Sequence, residues 1–187
     1  DTSVQIESAF QHDILPQLSI DAETGRQLLE YLAVGLLLEG RWAGFGTYQN
    51  WRDVQSQFVL PRVRSALHFL SNQENLPGEV VSWRDRYVAA LETTLAAVSA
   101  FYQEQGAAKA KVIKTAAVTA DGDWNAPTLS QTAVRALRST DGVTTVLVGM
   151  RQQAYVEDIV TELARPVEIK ERGASWVGLK RGLETGD

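Results

Sequence analysis

The 187-residue chain contains no cysteine, so it has neither disulfides nor thiolate chemistry, and a structural zinc would rest on carboxylates and the two histidines, His12 and His68. The compartment is left open by the same absence. Clustered positive charge is also missing. Scattered Lys and Arg number 18 against 23 Asp and Glu, for a net charge of -5. Phosphate backbones are held by clustered cations, so no nucleic-acid surface is expected. No apolar run approaches the roughly 20 residues that span a bilayer. The longest, YLAVGLLL at 31–38, reads as a buried helix end or a strand. There is no internal repeat and no low-complexity tract. The composition fits a soluble protein of a cytoplasm or an organelle interior. The chain begins at Asp1 rather than Met, which leaves room for a leader, a tag or an upstream region removed before it.

What is present reads as one domain, 1–187, mainly α with few β-strands. The N-terminal segment, 1–50, holds Pro16, which argues against a long opening helix. From Ser19 or Asp21, Leu28, Leu29, Leu32 and Leu36 fall at helical spacing. The loop that follows interleaves Gly40, Gly44 and Gly46 with Trp42, Phe45, Tyr48 and Trp51. Aromatics pinning a glycine-rich connection to the core explain it better than a ligand loop does. A helical region, 53–106, comes next. Its first part is expected to restart at Pro61, a first-turn residue. Its second part is a helix from Ser82 with Trp83, Tyr87, Leu91, Leu95, Val98 and Phe101 on one stripe, running to Gly106. From Lys111 the chain is either helix or a short strand.

DGDWNAP is a loop by composition. Asp121, Asp123 and Asn125 alternate as in a calcium loop, but the glycine is misplaced and no closing glutamate follows, so turn chemistry is the better reading. Thr128 with Gln131 three residues on marks a helix start, and Leu129, Ala133, Val134 and Leu137 form its apolar face. VTTVLV, 143–148, is the one convincing strand, which needs a partner such as 112–118, 36–38 or another polypeptide. Helical periodicity returns with Tyr155, Val156, Ile159, Val160 and Leu163 and stops at Pro166. The tail, 165–187, is expected to be loosely held except around Trp176.

Helix, Asp-Gly turn, apolar strand, Gly-x-Arg and helix, in TLSQTAVRALRSTDGVTTVLVGMRQQAYVEDIVTEL, resemble the C-terminal segment of the aldo/keto reductases over 127–164. In that family the segment closes an eight-stranded (β/α) TIM barrel, so the resemblance implies a partial barrel. It also implies that Gly149, Arg151, Gln152 and Asp158 are cofactor-binding, with Gly149 and Arg151 at the adenosine phosphate of NADPH. Free N–H groups at a helix start, with an arginine beside them, suit a phosphate physically. Two features depart from the family. The acidic residue on this helix is followed by Ile159 rather than asparagine, which removes an amide contact to adenine. No Asp, Tyr, Lys and His set is found, so no catalytic residue is assigned, and no metal ligand.

These features together suggest a divergent aldo/keto-reductase-like subunit, non-catalytic by itself, with a structural or interaction role in a larger assembly. One alternative is the C-terminal portion of an NADPH-dependent oxidoreductase that reduces carbonyls, its catalytic half absent from this chain; another is a helical binding module unrelated to reductases, which would have no use for a strand at 143–148. In the two reductase readings the protein partner or the missing N-terminal half is the expected companion. His68, in SALHFL, reads as a helix histidine at the edge of the core.

Overall fold

The computed structural model describes residues 2–73 and 76–184, and the fold is mainly helical, as expected. By its internal contacts the chain divides into two compact units, Asp1–Gly106 and Ala107–Asp187.

Unit one begins with α1 (Thr2–Ala9), which continues through a π-turn (Phe10–Ile14) and ends in a 3-10 turn at Pro16. Asp21 caps α2 (Ala22–Leu32), accepting from the Thr24 N–H at 2.9 Å. The apolar run 31–38 is therefore helical but not one helix: it breaks at Ala33 (φ -79°, ψ 48°) and resumes as α3 (Val34–Glu39). Because Ala33 has no side chain to cap with, the Glu7 carboxylate on α1 does so. It accepts from the N–H groups of Gly35 at 2.5 Å and Leu36 at 3.1 Å. On the other side of the break the Leu32 carbonyl accepts from the Tyr87 hydroxyl at 2.9 Å.

The glycine-rich loop is pinned by aromatics. Phe45 packs on Trp51 at 5.0 Å and Trp42 on Phe101 at 4.7 Å, while the Tyr102 hydroxyl donates to the Trp42 carbonyl at 2.7 Å. Thr47 then caps α4 (Tyr48–Val54), which passes through a second π-turn (Gln55–Val59) into α5 (Leu60–Ser71), where Pro61 sits in the first turn. His68 is exposed on α5 and bonds Asn72 at 3.0 Å, so it faces water rather than the core edge.

α6 (Gly78–Ala120) begins in unit one and ends in unit two. Val80, Trp83, Tyr87, Leu91, Leu95, Val98 and Tyr102 are buried at intervals of three and four, which is the stripe read from the sequence, with Tyr102 rather than Phe101 at its end. Trp83 stacks on Tyr87 at 5.0 Å and donates to the Ile6 carbonyl at 2.8 Å. Gly106 does not stop the helix. A mid-helix glycine costs only about 1 kcal/mol against alanine, and Ala107, Ala108 and Ala110 follow it. The segment from Lys111 is accordingly helix.

In unit two Asp121 caps a 3-10 turn (Gly122–Trp124) and Thr128 caps α7 (Leu129–Arg138), the latter accepting from the Gln131 N–H at 3.1 Å. Gly142, at φ 81°, turns the chain into residues 143–151, and α8 (Gln153–Leu163) and α9 (Gly173–Glu184) follow. The expected strand at 143–148 does not form: these residues carry no ladder, and the proposed pairing segments 112–118 and 36–38 are helical or at a helix end. An isolated parallel bridge between Thr140 and Lys170 is the β-pairing among the described residues. The tail, expected to be loose, contains α9, although residues 185–187 lie outside the described residues. Trp124 and Trp176 meet at 4.7 Å over Ala117 and Ala136 to form a small core.

Candidate functional site

Gly149, Arg151 and Gln152 are consecutive or nearly so at the approach to α8, and all are exposed. Gln152 is the N-cap residue, with extended backbone (φ -136°, ψ 148°) and no side-chain capping bond. The first-turn N–H groups of α8 therefore lack a side-chain acceptor, and the helix carries about half a positive charge at that end. Arg151 has no ion pair among the described residues. An anion is what this arrangement can hold.

Asp158 is committed elsewhere. Its carboxylate accepts from the Thr128 hydroxyl at 3.0 Å and from Gln131 Nε2 at 2.9 Å, and Gln131 Nε2 also reaches the Asp158 carbonyl at 3.1 Å. The residue clamps α8 onto the capped start of α7. Ile159, beside it, is buried. Asp158 and Ile159 are thus both engaged within the fold, and neither offers a free polar group beside Arg151.

The ionic interior of unit two has no local signal in the sequence. Glu162, wholly buried, receives Arg135 Nη1 at 2.9 Å, Arg165 Nη1 at 2.8 Å and Arg138 Nη1 at 3.6 Å. The i, i+3 spacing of Arg135 and Arg138 places them on one face of α7, but only folding brings Glu162 to that face. Arg172, also buried, binds Asp121 at 2.5 Å, Asp123 at 3.1 Å and the Ser139 carbonyl at 3.0 Å. The two aspartates that alternate in ADGDWN are held by that guanidinium in a turn.

Burial would raise the Asp121 carboxyl, but hydrogen bonds from Ser175 and Arg172 outweigh it and hold the group below its ordinary value. The Arg172 hydrogen bond, then the charge of Lys170, does the same for Asp123. Among the described residues no cluster of three or more metal-ligating side chains occurs, and no helix is long and apolar enough to cross a membrane. No protein-family model, no curated protein and no solved structure matches this chain.

Proposed function

We propose that the chain is a divergent aldo/keto-reductase-like subunit, non-catalytic by itself, whose residues 143–163 complete an α/β sheet in a partner polypeptide. The observation that carries this reading is the segment 143–148, β-prone in sequence, largely exposed and without a β-ladder among the described residues. Six β-prone residues run from Val143 without a ladder, and Leu147 among them is 93% exposed. A lone strand offers a row of N–H and C=O groups ready to pair with another edge. The helix that follows adds support. α8 buries Ile159 and Glu162 while exposing Val156, Val160 and Leu163, an i, i+4, i+7 apolar stripe with no cover in unit two. One partner feature would satisfy both: an open sheet edge takes the strand, and the sheet's face takes the helix.

The test is native mass spectrometry of the protein isolated from its source without overexpression, followed by hydrogen exchange on amides 144–148. The expected result is a complex with a second polypeptide in which those amides are protected, against free exchange in the isolated chain. A protein that travels alone, or amides that stay unprotected in the complex, would overturn it. Reduction of aldehydes with NADPH by the purified chain would sink the non-catalytic part.

A second reading, the C-terminal portion of an NADPH-dependent reductase, is favoured by the uncommitted Arg151 beside the uncapped start of α8. In that case the partner carries the Asp, Tyr, Lys and His set, and Arg151→Ala weakens NADPH binding in the assembled enzyme by about 1.5–3 kcal/mol, a charged hydrogen bond's worth. Unchanged affinity counts against it.

A further inference from the structure

Unit one carries a cleft of about 550 Å³, within the usual size of small-molecule sites, and none of its lining residues lies in 143–163. Ala33, Val34 and Leu37 form one wall, from the broken α2–α3 stretch. Val54, at the end of α4, and Phe58 and Val59, from the π-turn that leads into α5, form another. Such turns inside helices recur where a protein works on a ligand, because the extra residue re-aims the side chains around it. Leu36 and Phe58 line the cleft yet are 59% and 55% exposed, so its apolar walls stand open to water.

Three charges border it, those of Glu30, Arg41 and Arg62, which leave the lining one positive charge in excess. Arg62 lies 5.8 Å over the Tyr31 ring, and its Nη1 is 3.9 Å from Glu30, the long limit of an ion pair. Arg41 also lines the cleft, and among the described residues no hydrogen bond or ion pair engages its side chain. Apolar walls with one uncommitted guanidinium and one loosely held ask for an occupant that is apolar along its body and anionic at its end. A cation would meet a net positive lining, since Glu30 faces Arg62 and Arg41 is unmatched. An uncharged apolar molecule would cover Arg41 and give it nothing. A partner helix is poorly served, because the wall breaks at Ala33 and offers no straight stripe to align with.

We propose that this cleft binds a small anionic amphiphile, an acyl chain ending in a carboxylate, with the chain against Leu37 and Phe58 and the carboxylate on Arg41. Calorimetric titration of the full chain with octanoate, decanoate and dodecanoate, each below its micelle concentration, tests it. The expected result is one molecule per chain, with Kd tightening about fourfold per added methylene, the ratio that corresponds to ~0.8 kcal/mol per buried CH₂. Arg41→Glu, an exposed site, is expected to keep the thermal melt and weaken dodecanoate about tenfold or more, while dodecanol binding stays unchanged. Phe58→Asp, also exposed, is expected to weaken both. Absence of saturable binding, indifference to chain length, or an Arg41→Glu variant that binds dodecanoate normally overturns the proposal. So does a dimer seen by sedimentation that Phe58→Asp dissolves, since the cleft then belongs to a second copy of this chain.

Discussion

The Glu7 carboxylate accepts the Gly35 N–H at 2.5 Å, so a side chain on α1 starts a helix 28 residues further on. The contact explains how α2 can end and α3 begin with only Ala33 between them. Helix starts without a local cap need an acceptor from elsewhere, and here tertiary packing provides it.

The approach that makes this cap leaves no room for a side chain at Gly35. A Cβ there would lie 2.8 Å from Ser3 Cβ and 2.9 Å from Glu7 Oε1. Alanine is the better helix former by about 1 kcal/mol, whereas overpacking costs about 1–3 kcal/mol. Gly35→Ala is therefore expected to lower stability in urea unfolding, and a variant that gains stability would show that α1 and α3 are not in close contact.

Glu7 also sets a pH dependence. Burial raises its carboxyl above the ordinary 4.5, against the pull of the Gly35, Leu36 and Val34 N–H groups. A raised folded value means that the native state binds the proton more tightly, so the contribution is full below 4.5 and is lost as pH rises through the folded value. The melting temperature of the protein relative to Glu7→Gln is expected to fall across that window. Parallel curves for the two proteins would refute the assignment.

The aspartates of unit two act in the opposite direction. Asp121 and Asp123 are held below 3.8, so their contribution is present above that value and is lost as pH falls through the folded values. Hydrogen exchange of the α9 amides is expected to rise in that acid range. Arg172→Leu, which removes the shared partner, is expected to bring the rise to higher pH; an unshifted profile would mean that the guanidinium does not hold the turn.

Glu162 is the most exacting position in unit two. Removing one member of a buried ion pair costs about 3–5 kcal/mol, and because its arginines are partly exposed and can turn to water, the lower end applies. Glu162→Gln is expected to destabilise unit two by about 3 kcal/mol in denaturant. A loss below about 1 kcal/mol, the usual worth of a surface pair, would show that water already reaches the cluster.

Much of the fold was legible where the signal is local. Asp21 and Thr128 cap helices through N–H groups three residues on, and the stripe of α6 follows from a period of three and four, so both can be read without knowing what packs against them. The helical periodicity of α8 was legible for the same reason. The strand expected at 143–148 does not form, because β-propensity favours an extended segment but only another backbone makes it a strand. Asp158 was read as facing a ligand, yet it faces Thr128 and Gln131, 30 and 27 residues away.

The sequence by itself determined α2, α5, α7 and α8, the Asp21 and Thr128 caps, the aromatic stripe of α6 and the exclusion of cysteine chemistry, since each depends on residue type and near-neighbour spacing. Only the tertiary structure decided that Glu7 starts α3, that Glu162 lies among arginines and that Arg172 holds Asp121 from 51 residues away. Burial strengthens a charge's need for a partner, and which partner it meets depends on chain segments that no local pattern connects.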